Sequence, residues 1–121
     1  MSEQKETRRF EVAVVGVTFE GRQEVLAELH SLQEGETALN GQLVREPGNR
    51  FDANAVAVEA ESRQIGYIPK ALAAKLAARI DAGESISVAG VRIAKGEKDG
   101  RIIYSARIDV EIQTETKKEA V

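Results

Sequence analysis

The sequence contains no cysteine and no tryptophan, and it has one histidine and two prolines. Without cysteine there can be no disulfide, no thiolate zinc site and no cysteine nucleophile. A single histidine argues against a structural zinc site, and no serine has a convincing histidine partner for nucleophilic catalysis. We therefore expect no metal, no other cofactor and no enzymatic activity. The lack of cysteine also fits a cytoplasmic protein.

Positive charge is not in excess, because 17 Lys and Arg residues face 20 Asp and Glu residues, for a net charge of −3. This balance argues against a broad, sequence-blind grip on duplex nucleic acid, but it leaves room for a local basic patch. The chain also lacks an apolar run of about 18 residues, which a membrane span requires. The charged N-terminus has no apolar signal-peptide segment. We expect no contact with a membrane.

The 121 residues are most simply one domain. Their hydrophobic periodicity predicts a mostly β fold with two helices, in the order β-α-β-β-β-α-β-β. The helices are expected over residues 22–32 and between Pro69 and Gly83. Such a chain is expected to form a small antiparallel β-barrel of the OB-like or SH3-like type. The strands are predicted at residues 10–17, 37–45, 55–59, 64–68, 85–94 and 102–112.

The domain boundaries follow from polar segments at both ends. Residues 1–9 and 114–121 are predicted to be disordered tails around a domain that spans residues 10–113. Within the strand at residues 85–94, the apolar positions change parity near Gly90, which predicts a β-bulge. The polar residues 95–100 are predicted to form an exposed, mobile hairpin loop.

The loop at residues 46–54 joins two apolar strands and is dense in functional side chains. Pro47 and Gly48 fit the central positions of a type II turn, where Gly takes a positive φ. A loop that only reversed the chain would not need an amide, a cation, a ring and a carboxylate in succession, so we predict a binding site here. The candidate side chains are Asn49, Arg50, Phe51 and Asp52, whereas the second amide, Asn54, is expected to cap the backbone.

Each candidate also has a structural alternative. Phe51 can stack on a base or fold into the core. Asp52 can accept a hydrogen bond from a ligand hydroxyl or cap the loop backbone in an Asx-turn, and Asn49 can fix the turn in the same way. Arg45 and Arg50 can reach phosphates, or form surface ion pairs with the acidic residues nearby.

A second group of candidates lies at the start of the second helix. Lys70 falls in the first helical turn, where the helix dipole disfavours a cation. A phosphate bound there would be stabilised by the helix N-terminus and by the lysine together. The alternative is a solvated lysine. Tyr67 precedes it on a short strand, and its ring is expected in the core with only the hydroxyl exposed.

Three sequence blocks together resemble the HIRAN domain family. The blocks are VVGV at residues 14–17 with GRQ at 21–23, LVREPGNRFDANAV at 43–56, and IGYIPKALA at 65–73. The resemblance covers residues 10–94 and implies an OB-like barrel. HIRAN domains are DNA-binding modules of chromatin-remodelling and fork-repair ATPases and of free-standing bacterial proteins. Their ligand is the free 3′ end of single-stranded DNA.

The resemblance assigns roles to particular residues. Phe51 and Asp52 fall on positions that line the DNA-end pocket, Tyr67 on a polar ring position of that pocket, and Lys70 on a phosphate contact. The best-known members also carry a basic residue and an aromatic just ahead of the first-strand glycine, where this chain is apolar. Those apolar positions lie near Val12 and Ala13.

The resemblance implies a non-catalytic module that recognises 3′-hydroxyl ends of single-stranded DNA in repair or stalled-fork processing. The chain has no P-loop, so ATPase activity is not carried over. The acidic charge balance and the apolar first strand favour an alternative. In that case the chain is an adaptor that binds a helicase, another ATPase or a nuclease without DNA affinity of its own.

Overall fold

The computed structural model describes residues 3–33 and 38–117. The predicted order of strands and helices is confirmed. The elements are β1 (Glu3–Ala13), α1 (Arg22–Leu32), β2 (Gly41–Arg45), β3 (Val56–Ala60), β4 (Arg63–Tyr67), α2 (Lys70–Asp81), β5 (Ser85–Lys98) and β6 (Arg101–Lys117). Neither helix is long and apolar enough to cross a bilayer, within the ranges described.

The strands form two antiparallel sheets of three strands each. The first sheet has the order β1-β6-β5 and the second the order β2-β3-β4. Among the described residues, the backbone pairing between the two sheets consists of isolated bridges, one between Val15 and Tyr67 and one between Leu39 and Val91. A closed barrel needs continuous ladders around its circumference. The predicted barrel is therefore not confirmed, because each seam between the sheets is a single bridge.

Both ends of the described chain belong to the first sheet. The sequence predicted disordered tails at residues 1–9 and 114–121, but residues 3–9 pair with residues 111–117. An ion pair between Arg9 and Glu111 accompanies this ladder. The polar composition that suggested tails is compatible with a strand, because backbone pairing requires no apolar side chain. Residues 1–2 and 118–121 lie outside the described residues.

The hairpin between β5 and β6 is also more regular than predicted. Its turn consists of Asp99 and Gly100, which both have positive φ angles, 52° and 77°. This is the backbone that a two-residue hairpin turn requires, and Asp-Gly is a favoured pair for it. Of the residues predicted to form a mobile loop, 95–98 continue β5, and Asp99 and Gly100 form the tight turn into β6. The predicted β-bulge is confirmed, since the β5–β6 register shifts between Val88 and Gly90.

One core joins the two sheets and the two helices. Helix α1 buries Leu26 and Leu29, and α2 buries Ala73, Leu76 and Ala77. The helix predicted over residues 22–32 is confirmed. Helix α2 begins one residue after Pro69 and ends before Gly83, whose φ is +87°. The predicted second strand, β2, begins at Gly41 rather than at residue 37, and residue 37 lies outside the described part of the chain.

Candidate nucleic-acid interface

The second sheet brings the loop at residues 46–55 and the start of α2 to one of its ends. In the register of β2 and β3, Arg45 faces Val56, so the loop leaves and re-enters the sheet at that end. The backbone N–H of Ile68 donates to the carbonyl of Val56 at 3.0 Å, and α2 begins two residues later. We call this group of loop residues, together with Tyr67 and Lys70, the loop–helix site.

Asn49 holds the loop in shape. Its backbone N–H closes a turn onto the carbonyl of Glu46 at 3.1 Å, and its Nδ2 donates to Glu46 Oε1 at 3.0 Å. Its Oδ1 accepts hydrogen bonds from the backbone N–H groups of Phe51 and Asp52. The structural alternative for Asn49 is therefore realised. Gly48 does not have a positive φ, so the predicted type II turn is wrong; the fixed φ of Pro47 suits a type I turn equally well.

One carboxylate oxygen of the half-buried Asp52 is bonded within its own loop. Its Oδ1 accepts a hydrogen bond from the backbone N–H of Asn54 at 2.9 Å, which is the predicted Asx-turn. Its backbone carbonyl accepts from the N–H of Ala55 at 3.0 Å. Among the described residues, Oδ2 has no hydrogen-bond partner. Half of the carboxylate is thus structural, and the other half remains available as an acceptor.

Phe51 projects into solvent from this braced loop. Its relative exposure is 90%, the highest among the exposed large apolar residues. The alternative in which the ring packs into the core is therefore wrong. Burial would favour such a ring, so its exposure is not explained by stability. A rigid backbone that presents an exposed aromatic ring is suited to stacking on a flat ligand.

Tyr67 connects the loop to the start of α1. Its hydroxyl donates to Glu46 Oε1 at 2.9 Å, the same oxygen that Asn49 contacts. The guanidinium carbon of Arg22 lies 5.3 Å from the centroid of its ring, within the range of a cation–π contact. Arg22 Nη1 also donates to the carbonyl of Gly16 at 2.8 Å. The partly buried tyrosine is therefore held from both sides.

Lys70 and Arg50 are exposed cations near the loop. Neither takes part in an ion pair with any residue of the described chain. Lys70 is the first residue of α2, and the preceding Pro69 gives no side-chain cap to the N–H groups of the first turn. That turn contains no acidic residue either. The helix start thus combines unsatisfied N–H donors, the positive end of the helix dipole and a lysine.

Arg45, by contrast, is occupied by protein acceptors. Its Nε and Nη2 donate to the carboxylate of Asp81, each at 3.1 Å, and its Nη1 donates to the carbonyl of Ala55 at 3.2 Å. Asp81 is the last residue of α2, about 16 Å along the helix axis from Lys70 at 1.5 Å per residue. The structure therefore does not bring Arg45 together with Lys70, and the ion-pair alternative is realised with an acid that the sequence did not suggest.

A family model described as the HIRAN domain matches residues 8–116. The chain belongs to the HIRAN domain family. Two solved structures are similar to this HIRAN domain at low sequence identity, and they show the fold. No significant match is found among curated proteins.

One of these structures is the HIRAN domain of human HLTF, at 19% identity and a TM-score of 0.52. The alignment covers 87% of this chain and 74% of that one. The other is a protein from Lactobacillus plantarum, at 20% identity and a TM-score of 0.58, with 91% of this chain and 98% of that one covered.

The structure adds one exposed ring that the sequence analysis missed in this HIRAN domain. Phe19, in the turn after β1, is 64% exposed. A Cβ placed on Gly16 would lie 3.8 Å from Phe19 Cδ2 and 3.9 Å from Tyr67 Cδ2, so both rings flank that glycine. The best-known HIRAN domains carry an aromatic near the positions of Val12 and Ala13, which are apolar in this chain, and Val12 is buried in the core. The available signal was an aromatic residue in an otherwise polar turn.

Proposed function

We propose that this HIRAN domain is a non-catalytic DNA-binding module that receives the end of a single strand at the loop–helix site. The observation that carries the proposal is the solvent exposure of Phe51 on a braced loop. That loop lies at the same end of the second sheet as the uncapped start of α2. This shared position supports the inference that the ring, the acceptor and the helix start act on one ligand.

The three parts of a strand end have matching groups in the site. Phe51, with Phe19 as a second ring, offers a face to a base, and stacking on one aromatic contributes about 1–3 kcal/mol. Lys70 and the first N–H groups of α2 suit a backbone phosphate. Asp52 Oδ2 suits a hydroxyl donor. A carboxylate repels a terminal phosphate, so the proposed ligand is a 3′-hydroxyl end rather than a 3′-phosphate.

The net charge of −3 supports a compact end site over a broad groove for duplex DNA, because duplex binding depends on many phosphate contacts. Arg50 is the further exposed cation of the loop, and we assign it to the same strand. In the cell, such a module would direct a helicase, another ATPase or a nuclease to DNA ends during repair or at stalled forks.

The test is fluorescence anisotropy with two single strands that differ only in a 3′-hydroxyl or a 3′-phosphate. We expect the hydroxyl strand to bind more tightly. Asp52→Asn keeps an acceptor for the N–H of Asn54 but removes the charge. The ratio of the affinities for the hydroxyl strand and the phosphate strand should therefore fall toward one. Glu6→Gln removes the same charge from an exposed position on β1 and should leave the preference unchanged.

Equal affinity of the unmodified protein for both strands would remove the end-reading claim. Lys70→Ala should weaken every strand alike and should reduce the slope of log K against log salt by about 0.7, the value for one phosphate contact. If every single strand binds with a dissociation constant in the high micromolar range or weaker at moderate salt, the DNA-end function is wrong and the adaptor function is favoured. The adaptor function is then tested by capture of a DNA-processing partner protein.

A further inference from the structure

The hairpin of β5 and β6 extends beyond the rest of the first sheet. The ladder between β1 and β6 ends where Ala13 faces Arg107, so the strands continue beyond it as a two-stranded ribbon. We call residues 94–105 the β5–β6 arm. Residues 94–102 are all exposed. From residue 94 to residue 98 the arm spans about 13 Å at 3.3 Å per residue.

The tip of the arm carries two cations on one face. The register places Lys98 directly opposite Arg101, and residues that face each other across a ladder project from the same side of the ribbon. Neither side chain forms an ion pair or a hydrogen bond with any residue that the structure describes. Like charges in this arrangement are destabilising, and the turn of Asp99 and Gly100 fixes the register that imposes it.

A second cationic pair on the same face differs from the pair at the tip, because it has carboxylate partners. Arg92 faces Arg107 across the same two strands, nearer the core. Glu11 lies 2.9 Å from Arg107 and 3.9 Å from Arg92, and Asp109 lies 3.8 Å from Arg92. The fold therefore neutralises the inner pair with its own carboxylates and leaves the outer pair at the tip without such partners. An external anion would provide the missing charge.

The base of the arm adjoins the turn that carries an exposed ring of the proposed binding surface. The side-chain amide of Gln23 bonds both backbone groups of Tyr104, at 2.9 Å each, on the free edge of β6. The same Nε2 donates to the carbonyl of Val17 at 3.0 Å, two residues before Phe19. One amide thus ties the base of the arm to the turn that carries Phe19.

We propose that Lys98 and Arg101 contact the phosphate backbone of the bound single strand at some distance from its end. This inference rests on the proposed function, since it concerns the part of the same strand that the loop–helix site does not hold. The ligand of the arm is a repeating phosphate chain, because a cationic pair at the tip of a ribbon offers charge without a pocket for a base. The arm therefore lengthens the binding site.

The length of the oligonucleotide distinguishes binding at the loop–helix site from binding at the arm. We would titrate the protein with labelled oligothymidines of about 4 and about 16 nucleotides, both ending in a 3′-hydroxyl. In the double variant Lys98→Gln/Arg101→Gln, affinity for the long strand should fall about tenfold at 0.15 M salt, and the salt slope should decrease by about 1.4. Affinity for the short strand should not change.

Lys75→Gln is the matched control, because it removes an exposed cation from α2 and should leave both affinities unchanged. Unchanged binding of the long strand by the double variant would overturn the inference. An equal loss for both lengths would also overturn it, since that result indicates a long-range field and not a contact at the arm. If the unmodified protein binds neither strand, the proposed function itself fails, and the two failures are thus distinguishable.

Discussion

Phe51→Ala separates binding from stability more sharply than other changes in the site. The ring is 90% exposed, so only about a tenth of its area, about 20 Å², is covered by the protein. At about 25 cal/mol per Å², its removal costs about 0.5 kcal/mol of folding free energy. Loss of a stacked base costs about 1–3 kcal/mol of binding free energy, which corresponds to a decrease in affinity of about 5- to 150-fold.

The assay pairs thermal unfolding with anisotropy titration of a short single strand. We expect a change in Tm of less than about 3 °C together with the loss of affinity. Leu32→Ala is the matched control, because Leu32 is 64% exposed at the end of α1 and its truncation should alter neither quantity appreciably. Retention of full affinity by Phe51→Ala, with folding intact, would refute the role given to this ring.

The remaining predictions concern stability. Gly66→Ala should lower the free energy of unfolding by about 1–3 kcal/mol in denaturant titration, because the added Cβ would lie 2.4 Å from the carbonyl oxygen of Val15. Gly48→Ala, where a Cβ meets nothing within 4 Å, should be near neutral, and an equal loss in both variants would contradict the steric argument. Hydrogen bonds from Arg79 lower the pKa of Glu84 in the folded protein. The ionised Glu84 therefore stabilises the fold fully above the ordinary glutamate pKa, and this stabilisation is lost as the pH falls through the lowered pKa. The Tm difference between the natural protein and Glu84→Gln should therefore narrow on acidification, and a constant difference would exclude this linkage.

The order of elements could be predicted because the apolar residues carry the period of each strand and helix. The parity change before Gly90 predicted the bulge, and Gly83 marked the end of α2. The strand at residues 3–9 could not be found in this way. Its partners are more than 100 residues away in the chain, and its sequence lacks the apolar alternation that marks a half-buried strand. Whether the two sheets close into a barrel could not be predicted either, because closure depends on pairing between strands that are distant in the sequence.

The sequence identified the residue types of the site but not their orientation. The sequence was equally compatible with a buried and an exposed Phe51 ring, and the tertiary structure shows that the ring is exposed. Arg45 had acidic neighbours in the loop, yet its partner is Asp81, which α2 brings to it from 36 residues away. Phe19 was missed because a single aromatic in a turn has no periodic partner.

A chemical-shift titration of the labelled protein with a short single strand ending in a 3′-hydroxyl tests the central claim most directly. The account predicts that the largest backbone amide changes fall together on residues 50–52 and 70–72, with Phe19 among the affected neighbours. Changes confined to surfaces remote from the loop–helix site, or no changes at saturating strand concentrations, would contradict it.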